Sequence, residues 1–364
     1  MAAEASRCVP GGTLRPGSPP PAAAPGHRSP GQPPGDLVRV ETYMVDRLSI
    51  QCVWYDGHMS TVFVTGASGY IGAGVVRAAK RRGLRVLGLA RSSATASLLE
   101  DAEVEPITCD LADIEAMRSG AKHADAVVHA AFDRNAYERL DAAIASEEAA
   151  TARLLEVTGS RGIPLVYTSG IGVVGDTGAV VVDEVADPVT PPAMAWRRAL
   201  EQRVLARGGI VVRPAFVYGR AGSDILRALI ASAVERHGLV YADDGQNAWP
   251  NVHVDDLGEV YVLAIERGIR AEVLHAAGGE ATPRSVCEAI GRLVGVTASS
   301  LPLEHARRVM PYADWIAGNS IRVGTARTRQ LLDWIPAGPD IHEDIEFGSY
   351  RIIAGPGHGR KATP

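Results

Sequence analysis

One stretch of this chain governs its architecture, and it reads Thr61-Val62-Phe63-Val64-Thr65-Gly66-Ala67-Ser68-Gly69-Tyr70-Ile71-Gly72. Its first five residues predict a buried strand, and a helix is expected to begin near Gly69. Gly66 permits a tight turn, Gly69 lets the backbone approach a phosphate, and Gly72 lets the helix pack closely on the strand. Backbone N–H groups and the helix dipole then face a pyrophosphate. The stretch therefore predicts a dinucleotide-binding turn.

After this turn, short apolar runs alternate with segments of helical length. The predicted strands that follow are residues 85–89, 104–107, 126–129, 165–167 and 210–212. Near-continuous apolar strands that alternate with helices indicate parallel strands that are covered on both faces. We therefore predict an α/β fold in which a doubly wound parallel sheet forms a Rossmann core.

The pattern divides the chain into four segments. Residues 1–58 are rich in Pro, Gly and Ala and predict a disordered extension or a misassigned start, with Met59 as the functional first residue. Residues 59–220 predict the NADP-binding Rossmann core. Residues 221–352 predict mainly a smaller C-terminal α/β substrate-binding lobe, with elements that return to the core, and residues 353–364 a flexible tail. The lobe's predicted elements are helices near 223–237, 256–267, 283–294 and 325–333 and strands near 239–241 and 271–276.

Composition narrows the classes of partner. The net charge is −5, and no run of Lys and Arg suits a phosphate backbone, so we expect no nucleic-acid partner. No apolar stretch reaches the roughly 18 residues of a membrane span, so we expect no membrane partner. The four cysteines have no C-x-x-C spacing and no His cluster has metal-ligand spacing, which predicts reduced thiols, a cytoplasmic protein and no metal site.

The residues at the ends of the second and third strands indicate the cofactor. Arg91 and Ser92 stand where an NAD-binding fold usually carries Asp or Glu for the ribose hydroxyls. A guanidinium pairs well with a 2′-phosphate, so NADP(H) is favoured, NAD(H) remains possible, and a solvated arginine is the alternative. Asp110 is expected to accept from the adenine amino group, to cap the helix that follows, or to do both.

Beyond these positions, an ordered series of motifs resembles the short-chain dehydrogenase/reductase superfamily, in its NAD-dependent epimerase/dehydratase family. The series is Thr65 to Gly72, Cys109-Asp110-Leu111, Val127-Val128-His129-Ala130-Ala131, Tyr167-Thr168-Ser169, Arg213-Pro214, Val217-Tyr218-Gly219 and Val252-His253-Val254-Asp255-Asp256. With the residues above, the resemblance implies that the cofactor is bound by Gly66, Ser68, Gly69, Tyr70, Ile71, Gly72, Arg91, Ser92, Asp110, Leu111, Ala130, Ala131 and Arg197.

The same resemblance shows where this chain departs from its relatives. Family members carry a Tyr-x-x-x-Lys pair after the fifth strand, in which the phenol is the acid or base and the ammonium holds the nicotinamide ribose. Glu201 sets the register, because the family often carries Glu four residues after the Lys. Arg197 then falls at the lysine position and Ala193 at the tyrosine position, while Gly170 falls at the usual Ser or Thr. The resemblance therefore implies atypical chemistry or none.

Four residues are candidates to replace the missing groups. Ser169 follows a central strand, where ligands bind in open α/β sheets, although its hydroxyl has a backbone hydrogen bond as the alternative. Asp133 and Tyr137 follow the fourth strand and are candidates to reach the nicotinamide, with ordinary loop roles as the alternative. Arg197 is expected to donate to the ribose hydroxyls and to keep a positive charge near the nicotinamide.

Other conspicuous side chains are expected to be structural. The resemblance places His129 in a strand motif beside the cofactor, where a core histidine is preferred to a base. It places His253, Asp255 and Asp256 in a segment that pins the lobe and caps a helix, in preference to an acid pair or a metal site.

Three functions remain open at this stage. The first is an NAD(P)-dependent oxidoreductase that acts on a carbonyl or hydroxyl group of a small-molecule metabolite with atypical catalytic residues. The second is a sugar-nucleotide epimerase or dehydratase, and the third is a non-catalytic NADP(H)-binding sensor protein. The Ala-rich segment 139–161 is expected to pack in a homodimer or to cover the sheet.

Overall fold

The computed structural model describes residues 61–110, 113–132 and 139–354. The prediction made for residues 1–58 lies outside these residues, and so does all of the tail predicted for residues 353–364 except its first two residues. So do three candidate site residues, namely Leu111, Asp133 and Tyr137.

The strands of the described chain alternate with helices through most of its length. The strands are β1 (Thr61–Thr65), β2 (Arg85–Ala90), β3 (Glu105–Thr108), β4 (Ala126–His129), β5 (Leu165–Thr168), β6 (Val181–Val182), β7 (Ile210–Pro214), β8 (Phe216–Tyr218), β9 (Leu239–Ala242), β10 (Trp249–His253), β11 (Val273–Ala276), β12 (Gly279–Ala281), β13 (Ala298–Leu301) and β14 (Arg322–Val323). The helices are α1 (Tyr70–Arg81), α2 (Ser93–Asp101), α3 (Ile114–Ala121), α4 (Leu140–Arg161), α5 (Ala195–Leu205), α6 (Asp224–Arg236), α7 (Val254–Glu266), α8 (Pro283–Val294), α9 (Leu303–Ala306), α10 (Ala313–Ala317), α11 (Ala326–Leu332) and α12 (Ile341–Glu346).

The central sheet has seven strands in the order β11-β7-β5-β4-β1-β2-β3, and every neighbouring pair is parallel. Successive side chains of β1 point to opposite faces, and the strand is buried on both, so Val62 and Val64 join one core cluster and Phe63 another. Helices cover each face. The doubly wound parallel sheet predicted from the sequence is confirmed.

Helices α1 and α7 lie against each other unusually closely, because two glycines meet at their crossing. A Cβ on Gly258 would lie 2.3 Å from the Gly74 carbonyl oxygen, and one on Gly74 would lie 2.7 Å from the Val254 carbonyl oxygen. Helix α7 packs with α1 over the central sheet. Strand β11 forms one outer edge of that sheet. These two elements are among those that return to the core from the segment 221–352.

Most of the rest of that segment forms a smaller lobe with its own core. Strands β12 and β10 form a small sheet with β8, which precedes the segment, and β13 pairs with β9. Helix α8 spans the residues expected from the sequence because its ends are capped: Thr282 and Ser285 form a reciprocal capping box, and Gly295 takes the left-handed conformation after the last turn. None of the helices within the described ranges is long and apolar enough to cross a membrane.

Candidate cofactor and active site

The glycine turn has the shape of a phosphate cradle. Gly66 adopts a φ of +75°, and a Cβ there would lie 2.6 Å from the Ala131 nitrogen. A Cβ on Gly72 would lie 2.0 Å from the Gly66 carbonyl oxygen, whereas one on Gly69 would meet only that oxygen, at 3.1 Å. Helix α1 begins at Tyr70, so the N–H groups of its first turn have no partner within the helix. This geometry fits a pyrophosphate at the helix N-terminus.

The neighbours of the glycine turn lie where the sequence placed them. Ser68 is exposed at the tip of the turn, and Ile71 lies in the first turn of α1. Ala130 follows β4 and donates its N–H to the Thr65 carbonyl oxygen at 3.1 Å, which brings the Ala130-Ala131 backbone against Gly66. The ends of the adjacent strands β1 and β4 are thus in close backbone contact.

The side chain of Tyr70 has a different partner from the one expected. Its hydroxyl donates to the Gly219 carbonyl oxygen at 2.7 Å, and its ring lies so close to Gly222 that a Cβ there would be 2.1 Å from a ring carbon. Burial, with the charges around Tyr350 and Asp344, raises the pKa of this phenol far above its usual range. The side chain of Tyr70 therefore contacts the lobe, and only its backbone is left for the predicted contact with a cofactor.

Arg91 and Ser92 are both exposed at the end of β2. The Ser92 hydroxyl caps helix α2, since it accepts from the Thr95 backbone nitrogen at 3.2 Å. Among the described residues, Arg91 has no hydrogen bond or ion pair. The Ser92 hydroxyl is therefore occupied as a helix cap, whereas no described residue binds the Arg91 guanidinium.

Asp110 is exposed at the end of β3, and its carbonyl oxygen accepts from the Asp113 nitrogen at 3.0 Å. Helix α3 begins only at Ile114, and the Asp113 carbonyl oxygen accepts from Met117 in its first turn. The prediction that Asp110 caps this helix is therefore wrong, because the helix starts too far along the chain. Its expected contact with adenine stays a prediction.

The Ser169 hydroxyl is held by a buried ion pair. It donates to the Glu201 carboxylate at 2.6 Å, and the same carboxylate accepts from Arg213 through both Nε and Nη2, at 2.9 and 2.7 Å, and from Arg198 at 3.0 Å. Burial alone would raise the pKa of Glu201, but hydrogen bonds from Arg213, Ser169 and Arg198 lower it below its usual range. The alternative partner predicted for Ser169 was backbone, and the partner is a side chain instead.

The network around Glu201 continues to the edge of the sheet. Arg213 Nη1 lies 3.2 Å from His275 Nε2, while His275 Nδ1 lies 3.0 Å from the Gly324 carbonyl oxygen. Burial, with the positive charge of Arg213, lowers the pKa of His275 to about 4. His275 is therefore neutral, with Nδ1 donating to Gly324 and Nε2 accepting from Arg213.

Arg197 lies in the first turn of α5, close to the carboxyl end of β5. Its Nη1 donates to the Thr168 carbonyl oxygen at 3.4 Å, and its guanidinium carbon lies 4.3 Å from the Trp196 ring centre and 5.0 Å from that of Phe132. Cation–π contacts of this kind hold the cation in place. Ala193 precedes the helix in a 3₁₀ turn and is exposed.

Open space adjoins Gly170, because a Cβ there would meet no atom of the described residues within 4 Å. The two hydroxyls before it are both engaged, Thr168 with the Tyr261 hydroxyl at 2.8 Å and Ser169 with Glu201. The described part of this strand end therefore offers room for a ligand without an uncommitted side-chain hydroxyl.

Glu147 of α4 is a buried carboxylate that was not among the predicted site residues. Only 6% of the residue is exposed, and its Oε2 lies 3.4 Å from His129 Nε2, while His129 Nδ1 lies 2.6 Å from the Thr65 hydroxyl. The signal was present, since Glu147 shares a helical face with Ala143, Ala150, Thr151 and Leu154, all of which are buried. An acid on an apolar face predicts a partner in the core.

His253, Asp255 and Asp256 have structural partners, as the resemblance implied. His253 caps helix α7 by accepting from the Asp255 nitrogen at 3.3 Å. Asp255 pairs with Arg77 and Arg220, and Asp256 accepts from the backbone nitrogens of residues 337 and 338. The cap preferred in the sequence analysis is confirmed.

An aromatic cluster lies where the chain passes from β7 into the lobe. Phe216 stacks on Trp249 with ring centres 4.0 Å apart, and Trp315 meets Trp249 edge to face at 5.7 Å. Phe216 and Trp249 are buried, whereas nearly half of Trp315 is exposed. Trp249 therefore packs inside this cluster.

The comparisons with known proteins agree with this geometry. Residues 62–277, well over half of the chain, match the model of the NAD dependent epimerase/dehydratase family. An uncharacterized protein of Saccharomyces cerevisiae is 28% identical over 298 residues, which cover 78% of this chain and 97% of that protein. The 4-hydroxy-2-methyl-3-oxo-4-farnesyl-3,4-dihydroquinoline-1-oxide ketoreductase of Stigmatella aurantiaca is 28% identical over 261 residues, or 67% of this chain and 77% of that one.

Among solved structures, the UDP-glucuronic acid 4-epimerase of Bacillus cereus, in complex with NAD, superposes with a TM-score of 0.66. The match covers 80% of this chain and 98% of that enzyme at 18% identity. This similarity shows a common fold.

Proposed function

Because the chain belongs to the NAD-dependent epimerase/dehydratase family, we propose that it is an NADP(H)-dependent oxidoreductase that acts on a carbonyl or hydroxyl group of a small molecule. The observation that carries this proposal is the intact cradle of Gly66, Gly69 and Gly72, together with the exposed guanidinium of Arg91 at the end of β2, which has no partner among the described residues. A charge-assisted hydrogen bond from Arg91 to a 2′-phosphate stabilises the complex by roughly 1.5–3 kcal/mol. The printed name of the Stigmatella relative, a ketoreductase, supports carbonyl chemistry.

A nicotinamide cofactor held in this cradle would supply a hydride for the carbonyl carbon, and the carbonyl oxygen would need a proton from the protein or from water. Ala193 has no proton to give. Ser169 already donates to Glu201. We assign the proton to a water admitted at Gly170 or to Asp133 or Tyr137, while Arg197 binds the ribose hydroxyls and fixes a positive charge beside them.

The exposed alanine at position 193 favours a second candidate, a non-catalytic NADP(H)-binding sensor. A positioned acid or base contributes on the order of 10² to 10⁴ in rate, and no residue of α5 supplies one. In this candidate the fold keeps its cofactor and lacks turnover.

Two measurements on the full chain test these proposals. The first measurement is a fluorescence titration of wild type, Arg91→Asp and Arg207→Asp with NADPH and with NADH. Arg207 is an exposed arginine beyond the end of α5, and its variant is the control. We expect Arg91→Asp to weaken NADPH by at least about tenfold and to leave NADH within about twofold, with Arg207→Asp changing neither. Equal weakening of both cofactors by Arg91→Asp would contradict the phosphate assignment.

The second measurement follows NADPH consumption with a panel of aldehydes and ketones. Consumption supports the oxidoreductase and removes the sensor candidate. Tight NADPH binding without consumption across the panel supports the sensor and contradicts the enzyme.

A further inference from the structure

Three arginines from separate elements line one cavity beside the glycine turn. Arg77 comes from α1, Arg220 from the turn after β8 and Arg227 from α6, and the cavity has a volume of about 400 Å³. A cavity of this size suits a small organic ligand. The proposed reaction uses none of these three side chains.

The cavity keeps an excess of positive charge. Arg77 and Arg220 share the carboxylate of Asp255, each at 2.7 Å, and Asp224 is the acid in the lining itself. Burial would raise the pKa of Asp255, but hydrogen bonds from Arg220 and Arg77 lower it below its usual range, so this carboxylate is charged. Arg227 donates to a backbone carbonyl oxygen at 3.2 Å and pairs with no carboxylate of the described residues. Three guanidinium groups therefore face two carboxylates.

The turn that carries Arg220 has an uncommon backbone conformation. Gly219, Arg220 and Ala221 all have positive φ angles, of +104°, +51° and +52°. Residues other than glycine rarely adopt such angles. The Ser349 hydroxyl stabilises the turn by accepting from the Ala221 nitrogen at 2.8 Å. Conformations of this kind cost free energy and cluster at ligand sites.

The cavity lies on a different face of α1 from the cofactor cradle. Tyr70, Ala73 and Arg77 are spaced three and four residues apart, so they share the face of the helix that lines the cavity. Gly72, which packs on the glycine turn, lies on another face. The exposed tip of the glycine turn borders both the cavity and the cradle.

We propose that this cavity is a second anion site, which binds a phosphorylated small molecule separately from the cofactor. Guanidinium groups suit phosphate oxygens because they offer several N–H donors in a fixed plane. The cofactor carries phosphates of the same chemistry, so the test has to separate the two sites. The inference does not depend on the proposed reaction, because it concerns binding at residues that the reaction does not use.

The probe is inorganic pyrophosphate, which is titrated by calorimetry into the full chain with NADPH at saturation, so that the cofactor cradle is filled. Wild type should show saturable binding of one pyrophosphate. Arg227→Gln should weaken this binding by about tenfold or more, because a charge-assisted hydrogen bond is lost. Arg236→Gln is the matched control, since Arg236 is an exposed arginine in the last turn of the same helix, and it should keep the wild-type affinity.

The affinity for NADPH distinguishes the cavity from the cradle. Arg227→Gln should leave the Kd of NADPH within about twofold of wild type, because screening limits the reach of an exposed charge. The inference is overturned if NADPH-saturated wild type shows no saturable binding of pyrophosphate, or if wild type and Arg227→Gln bind it equally, and either result leaves the proposed function standing. If wild type does not bind NADPH, the proposed function fails, and the same comparison without cofactor decides whether the anion site exists.

Discussion

The Glu201→Gln variant tests whether the buried Glu201–Arg213 ion pair, which binds Ser169 just after β5, stabilises the fold. Glu201 and Arg213 are 0% and 1% exposed, and they meet through two hydrogen bonds of 2.7 and 2.9 Å. The amide keeps the shape but leaves the Arg213 cation buried without an anion. Removal of one partner of such a pair costs about 3–5 kcal/mol of unfolding free energy.

The assay is urea unfolding followed by circular dichroism, with Glu288→Gln as the control. Glu288 forms an exposed pair with Arg284 four residues earlier, and loss of such a pair costs about 0.3–0.5 kcal/mol. Thermal melting gives a second measure, because each kcal/mol shifts Tm by roughly 2 °C in a domain this large. Glu201→Gln should therefore melt about 6–10 °C below wild type.

A double variant separates charge from packing. Glu201→Leu with Arg213→Met removes both charges, and it should be more stable than either single variant because no charge is left buried alone. A loss below about 1 kcal/mol for Glu201→Gln, or single losses that simply add in the double variant, would refute the account of a coupled buried pair.

Three further predictions follow from the same structure. The folded pKa of Glu201 lies below its ordinary value of 4.5, so the stability that its charge contributes is present above that pH and is lost as the pH falls below it. The urea midpoint of wild type should therefore fall more between about pH 6 and pH 3.5 than the midpoint of Glu201→Gln. Equal falls would contradict this prediction. Gly72→Ala should lose NADPH binding and about 1–3 kcal/mol of unfolding free energy, because its Cβ would lie 2.0 Å from the Gly66 carbonyl oxygen. Gly159→Ala is the control, since a Cβ at this position of α4 would meet no described atom within 4 Å. It should keep wild-type NADPH binding and wild-type stability in the NADPH and urea titrations. Ala193→Tyr should raise NADPH-dependent carbonyl reduction by on the order of 10²-fold, and an unchanged rate would show that residue 193 does not occupy the tyrosine position.

The parts of the fold that depend on local pattern could be predicted from the sequence. Strand β1 and the turn at Gly66 follow from a short, near-continuous apolar run and from the glycine spacing, and α8 follows from its capping residues. The start of α3 was missed because Asp110 and Asp113 are equally good caps by residue type. Only the course of the chain decides between them.

Contacts between distant residues were harder to predict. Glu201 was used to set the register, yet its hydrogen bond with Ser169 spans 32 positions and depends on how α5 lies over β5. Glu147 was passed over because an acid in an Ala-rich helix usually faces water. The partners of Tyr70, Glu147 and Ser169 all come from other elements. The hydrophobic periodicity of a single element does not predict such partners.

The hydrogen bond from Tyr70 to Gly219 has a mechanical consequence. The residue that would offer its amide to the pyrophosphate also anchors the first segment of the lobe, and Tyr350 reinforces the joint by accepting from the Gly219 nitrogen at 3.2 Å. A clamshell opening of the lobe would have to pull on the first turn of α1. For the proposed function, we therefore expect substrate to enter and product to leave by local movement of surface loops, while the hydrogen bonds of this joint persist.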